Sequence, residues 1–154
     1  MAIKSFQGRR SQPQKEEFQP ALVSDIMTKK LITFKPDQLL SDVMEILINN
    51  RISGGPVVND KNELLGIISE GDCIKHISES KYYNMPLDNN TVDKHMKKDV
   101  ETIDGNLTVF EAAEQFVNKK RRRFPIVDKG KLVGQISQKD ILIAALEQKS
   151  HNWK

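Results

Sequence analysis

Two four-residue signatures in this chain can do chemistry. Ser69-Glu70-Gly71-Asp72 and Ser137-Gln138-Lys139-Asp140 each place a hydroxyl three residues before a carboxylate. Each follows a glycine-led run, Gly66-Ile67-Ile68 and Gly134-Gln135-Ile136. One reading is structural: the serine caps a helix start and the acid three residues on caps back. The other is binding. A short carboxylate at a helix start accepts from two vicinal hydroxyls at once, as on a ribose, and hydrogen bonds to a charged acceptor are the strong ones. Both copies carry Asp where a capping box more often carries Glu.

The elements that must hold these groups also come twice. Gly54-Gly55-Pro56-Val57-Val58, a polar turn and Leu64-Leu65-Gly66-Ile67-Ile68 are echoed by Phe124-Pro125-Ile126-Val127, a turn and Leu132-Val133-Gly134-Gln135-Ile136. Apolar runs of this length bounded by Gly and Pro read as buried strands. Asn59-Asp60-Lys61-Asn62 and Asp128-Lys129-Gly130-Lys131 supply the turns. Met27 maps to Met96, Thr33 to Thr102 and Pro56 to Pro125, all 69 apart; one residue is lost in the turn, so Asp72 maps to Asp140 at 68. A repeat held over this span is a tandem duplication. Units this small bury too little surface alone, so the two copies are expected to share one core.

Each copy reads as a short helix (22–27, 92–96), a short strand (32–34, 101–103), an amphipathic helix, the hairpin and a closing helix (70–79, 138–148). Leu39, Leu40, Val43, Ile46 and Leu47 recur at helical spacing over 38–50, and Phe110, Ala113, Phe116 and Val117 set one face of the second such helix. The fold class is α+β, an α/β sandwich of two β-α-β-β-α repeats, each with a three-stranded sheet that buries one face. The organisation is a flexible tail over 1–20, a first repeat over 21–79, a linker over 80–90 carrying Pro86, a second repeat over 91–148 and a C-terminal tail over 149–154. Phe6 and Phe18 in the first tail and Trp153 in the last are left free or docked.

Composition narrows the function classes. The chain has 154 residues, 38% hydrophobic and 29% charged, with net charge +3 and one cysteine. That fits a globule of one domain or two small fused ones, with no internal disulfide and a reducing, cytoplasmic setting. No apolar run reaches the roughly 20 residues of a membrane span, and the N-terminus shows no apolar signal segment. Neither a nucleophile–base–orienter set nor a Gly-rich phosphate loop is present, which points away from an enzyme. His76, His95 and His151 show no metal-ligand spacing, and no cofactor is required. Cys73, beside Asp72 near a helix start, is read as a packed thiol, the alternative being a thiol of lowered pKa.

The ordered motifs Asp25-Ile26-Met27, Ile32-Thr33-Phe34, Arg51-Ile52-Ser53-Gly54-Gly55-Pro56-Val57-Val58 and Gly66-Ile67-Ile68-Ser69-Glu70-Gly71-Asp72 resemble the cystathionine-β-synthase (CBS) domain. Lys94-His95-Met96, Glu101-Thr102-Ile103, Arg123-Phe124-Pro125-Ile126-Val127-Asp128 and Gly134-Gln135-Ile136-Ser137-Gln138-Lys139-Asp140 repeat them, so 22–147 resembles a CBS pair. The resemblance implies repeats packed about a pseudo-twofold axis, with two clefts for adenosine derivatives: AMP, ADP, ATP or S-adenosylmethionine. It implies Asp72 and Asp140 as ribose holders and a homodimer built as a flat disc. One cleft would join Asp140, Lys139, Ser137 and Gln135 to Ile32, Ile52, Ser53 and Pro56. The other would join Asp72, Gly71, Ser69 and Ile67 to Glu101, Arg121, Arg122 and Pro125. The apolar members can sandwich a purine; Ile32, Ile52 and Ile67 are equally explained as core.

Lys119-Lys120-Arg121-Arg122-Arg123 is the strongest charge feature. It reads as a solvated helix end complementing the helix dipole, as phosphate capture through Arg121 and Arg122, or as a weak nucleic-acid site. With aromatics at 6% there is no stacking platform, which disfavours the last. The expected function is a regulatory sensor of adenine nucleotides acting on an unidentified protein. The alternatives are a ligand-free module for dimerisation or partner binding, and an oligonucleotide binder.

Overall fold

The computed structural model describes residues 19–83 and 89–152. In chain order the elements are α1 (Val23–Ile26), α2 (Leu40–Asn50), β1 (Gly54–Val58), β2 (Leu64–Ser69), α3 (Glu70–Tyr83), α4 (Val92–His95), α5 (Val109–Lys119), β3 (Arg123–Asp128), β4 (Lys131–Ser137) and α6 (Gln138–Asn152). The fold is the expected mixed one, with each repeat presenting a hairpin flanked by helices. Residues 1–18, Pro86 and Trp153, on which several expectations fall, lie outside the described residues.

Each hairpin is a two-stranded antiparallel sheet, β1 with β2 and β3 with β4. The expected third strand is reduced to a single parallel bridge, Phe34 with Val57 and Ile103 with Ile126. The Phe34 N–H donates to the Pro56 carbonyl at 2.9 Å and its carbonyl accepts from Val58 at 2.9 Å. Pro36, which lacks an N–H, follows two residues later and pairing stops. α2 begins at Leu40 rather than 38, and α3 and α6 run on to Tyr83 and Asn152, past the expected 79 and 148. Both α2 and α5 end on a residue in the left-handed region, Arg51 at φ 54° and its counterpart Lys120 at φ 53°. On α5 the buried face is Val109, Ala112 and Phe116, whereas Phe110 (54%) and Val117 (74%) are exposed. The sequence reading mixed these two faces because apolar residues cover more than half of this helix.

The single shared core expected from the repeat is replaced by two cores with exchanged lids. Val23, from the first repeat, is fully buried in the core of the second, with Val109, Phe116, Phe124, Ile126 and Ile136. Val92, its counterpart, completes the core of the first, with Phe34, Leu40, Val43, Val57 and Ile68. The backbone repeats the exchange bond for bond. Val23 donates to Leu107 (2.8 Å) and Ser24 to Gly105 (2.9 Å); Val92 donates to Gln38 (2.9 Å) and Asp93 to Pro36 (2.9 Å). Each hairpin alone is too small to bury its apolar face, and the segment from the other copy closes it.

The lids cross the hairpins at glycine. A Cβ on Gly66 would stand 2.6 Å from the Lys97 carbonyl and 2.8 Å from Met96 Sδ. One on Gly134 would stand 2.5 Å from Met27 Sδ and 3.0 Å from the Thr28 carbonyl. Only a hydrogen leaves room for this close approach. Lys97 is thereby paired with Ile67, and Thr28 with Gln135, in antiparallel bridges.

Candidate functional site

Both Ser-x-x-Asp signatures form the cap that the structural reading expects. The Ser69 N–H and hydroxyl donate to Asp72 Oδ2 at 2.9 and 3.0 Å, and the Asp72 N–H points to Ser69 Oγ at 3.4 Å. In the second copy the Ser137 N–H donates to Asp140 Oδ2 at 2.8 Å and the Asp140 N–H to Ser137 Oγ at 3.2 Å. Capping engages one carboxylate oxygen of each. The other oxygen of Asp72, Oδ1, faces Lys97, whose Nζ stands 3.3 Å away. The Asp72 side chain is almost buried and that of Lys97 is 67% exposed, so the ion pair lies at the mouth of a cleft.

That cleft encloses about 220 Å³ between the two repeats. Its walls include Ile67, Ser69, Glu101, Arg121, Arg122 and Pro125, six of the eight residues expected around Asp72. Asp72 itself sits behind Lys97, and Gly71 is exposed at the helix start. Ile67 on β2 and Pro125 on β3 line it from different repeats and give it apolar surface.

Part of the charge in the cleft is matched within it. Glu101 accepts from Arg121 Nε at 2.7 Å and pairs with Lys119 at 3.2 Å. The Arg121 hydrogen bond, then that of Lys119, holds the Glu101 carboxyl below the usual range. Arg122 turns its carbonyl to the Gln138 N–H at 3.1 Å, as Ser53 does to Glu70 at 2.8 Å, and its side chain remains with Arg123 on the cleft wall. The basic run therefore divides: Lys119 and Lys120 end α5, and Arg121 to Arg123 enter the cleft.

The pseudo-equivalent side around Asp140 differs. Gln135 is half-buried and tied through its backbone to Thr28, and the Ile32 carbonyl approaches Gly55. Pro56 is buried opposite Ile67, Ile52 packs on the first core, and Ser53 and Lys139 are exposed. Among the described residues no hydrogen bond or ion pair links Asp140 to Ile32, Ile52, Ser53 or Pro56, and no cation pairs with Asp140.

Sequence reasoning passed over Lys97, Asp99, Val100 and Arg123 on the cleft wall, and of these Lys97 is the one that pairs with Asp72. The offset of 69 that pairs Met27 with Met96 also pairs Thr28 with Lys97, a gain of charge beside a mapped motif, and this was the available signal. The thiol of Cys73 is buried, and burial followed by the Asp72 and Glu70 carboxylates pushes its pKa up. That direction is opposite to the alternative of a lowered pKa, with burial the larger cause and the acids adding to it. His76 and His95 were read only as lacking metal spacing. They meet instead as a ring pair, centroids 4.5 Å apart, joining α3 to α4.

Comparison with known proteins agrees with this architecture. The sequence profile of the CBS domain matches residues 23–79 and 92–147. An uncharacterised protein of Methanocaldococcus jannaschii is 30% identical over 121 residues, which is 78% of this chain and 41% of that protein. The chain thus spans less than half of that relative. The crystal structure of CBSX2 in complex with AMP superposes with a TM-score of 0.74 at 28% identity, covering 84% of this chain and 98% of that one. The CBS domain pair of protein MJ0100, in complex with 5′-methylthioadenosine and S-adenosyl-L-methionine, does so with a TM-score of 0.67 at 25% identity, covering 84% and 99%. With both of its repeats matched and its lids exchanged between them, the chain belongs to the CBS domain family.

Proposed function

We propose that this protein is a non-catalytic regulatory module that binds adenine nucleotides between its repeats and transmits occupancy to a partner protein. The observation that carries the reading is the division of labour at Asp72. Oδ2 caps α3 while Oδ1 faces Lys97 at the cleft mouth, where an acceptor for ribose hydroxyls would stand. Ile67 and Pro125 offer flat apolar walls for a purine, and Arg122 and Arg123 offer donors for phosphate. The AMP bound by CBSX2 supports the ligand class.

The module acts as a homodimer in this reading. Ile48 (75%), Ile74 (63%) and Ile77 (43%) on α2 and α3, and Val117 (74%), Leu142 (64%) and Leu146 (67%) on α5 and α6, are exposed on matching helix pairs. A twofold-symmetric contact covers such a face most simply. The same patches favour the second reading, a module that assembles without a ligand.

A thermal-shift panel of AMP, ADP, ATP, S-adenosylmethionine and a short RNA separates the readings. Ligand at 100 times its Kd adds about 2.7 kcal/mol, roughly 5–10 °C for a chain of this size. Asp72→Ala and Asp140→Ala should each remove one site from the calorimetric stoichiometry. Absence of any shift leaves the ligand-free module, and a shift with RNA alone gives the basic run to nucleic acid.

A further inference from the structure

We propose that Lys97 makes the Asp72 cleft selective for phosphorylated adenosine, against free adenosine and against S-adenosylmethionine. The inference rests on the nucleotide-sensor reading above and names which adenosine derivatives this cleft accepts. It starts from the occupancy of Asp72 Oδ1. Lys97 Nζ stands 3.3 Å from that oxygen, so ribose hydroxyls that approach the carboxylate compete with the ammonium for it. Oδ2 offers no substitute, because it holds the cap through both donors of Ser69.

The displaced ammonium stays within reach of the cleft mouth. Lys97 is pinned at its backbone by two hydrogen bonds with Ile67, each 2.9 Å, and the absence of a Cβ on Gly66 keeps the segment pressed against the hairpin. Only the side chain swings. Of the nearby acids, Glu101 is engaged by Arg121 and Lys119, and Asp99 is exposed at the rim. A ligand that carries its own phosphate gives Lys97 a new anion as the ribose takes the old one. A nucleoside breaks the ion pair and returns nothing. S-adenosylmethionine brings one carboxylate but also a sulfonium and an ammonium, a net positive charge beside Lys97, Arg122 and Arg123, where like charges repel.

The other copy serves as the control within the molecule. The residue at the position of Lys97 is Thr28, which makes the same backbone bridge, to Gln135. No cation faces Asp140 among the described residues. The Asp140 side therefore has no built-in requirement for phosphate, and the two clefts read different features of the adenosine pool.

Calorimetry on the Asp140→Ala protein, which leaves the Asp72 cleft, tests the proposal with adenosine, AMP, ADP and S-adenosylmethionine. AMP and ADP should bind more tightly than the other two by about 10-fold or more, the scale of one partly exposed charge-assisted hydrogen bond. Lys97→Thr, which installs the residue that this bridge already tolerates in the first copy, should weaken AMP and tighten adenosine. The AMP-to-adenosine ratio should fall by about 10-fold. Lys97→Arg should restore it. A ratio that Lys97→Thr leaves unchanged, with AMP still bound, overturns the role of Lys97 while the nucleotide-sensor reading stands. Failure of every adenine ligand to bind overturns both. If loss of the Asp140 cap unfolds the background, the same ratio is read from the tighter phosphate-binding phase of the two-site isotherm of the otherwise unaltered chain.

Discussion

Glu101 sets how much of the basic run a ligand can feel. Its carboxylate is shared between Arg121 and Lys119, and because these cations hold its pKa below the ordinary value of about 4.3, it stays ionised throughout the neutral range. The cleft thus spends one arginine on its own wall. Glu101→Ile, which copies Ile32 at the equivalent position, should release Arg121 and raise the ATP-to-AMP affinity ratio by about 3- to 10-fold at low salt. That gain should fade as salt rises, since exposed charges are screened over about 8 Å at physiological ionic strength. Replacing Arg121 and Arg122 with the Ile and Ser of the first copy should abolish the ATP preference. Calorimetry at two salt concentrations measures both effects, and a ratio indifferent to all three substitutions would make the run a solvated helix end.

Between elements, the junction of α3 and α4 carries a titratable contact. His76 is fully buried, with its Nε2 3.1 Å from Ser80 Oγ, and its ring meets that of His95 at a tilt of 55°; His95 Nε2 is 3.0 Å from Asn90 Oδ1. Burial first, then the His76 ring, lowers the pKa of His95; Lys94 adds to this, while Glu79 and Asp72 oppose it. The folded state therefore resists a proton that the unfolded chain takes up below about 6.5. Stability is full above that pH and falls as the pH drops from about 6.5 through the depressed value. Melting curves between neutral pH and mild acid should show this loss. His95→Gln, which removes the titration, should flatten it, and an equally steep acid limb in that variant would place the sensitive group elsewhere. Because α4 leads directly into Met96 and Lys97, this junction also fixes one wall of the cleft.

At the scale of the whole molecule, exchange of lids makes the pair the folding unit. Neither repeat contains its own complete core, since Val23 and Val92 serve opposite hairpins. What the pair still leaves uncovered lies outside, on the helix pairs. Between α2 and α3, Met44, Leu47, Ile48, Cys73, Ile74 and Ile77 line an apolar groove of about 410 Å³. Beside this face Leu22 and Ile26 are half-buried by the exchange, whereas Ile74 and Leu142 remain open. Sedimentation at tens of micromolar should give a dimer, and Ile74→Glu with Leu142→Glu should give a folded monomer. A monomer without any substitution would remove the twofold assembly from the proposed function.

The duplication, the two hairpins, the caps at Ser69 and Ser137 and six of the ten residues lining the cleft beside Asp72 were legible in the sequence. Those features are local patterns or constant offsets: continuous apolar runs bounded by Gly and Pro, turn residues, and motifs separated by 69 or 68 positions. Tertiary structure alone decided which hairpin each leading segment closes. Val23 and Val92 are equally apolar, and nothing in their neighbours says that each is buried by the other copy; that choice depends on how two incomplete cores fit together. It likewise decided that Lys97 faces Asp72 and that Glu101 holds Arg121, contacts made by residues 25 and 20 positions apart. A charge in a sequence shows its sign, but its partner is settled only when the chain brings one within reach, and in this cleft that partnership governs what the carboxylate and the arginines have left to offer a ligand.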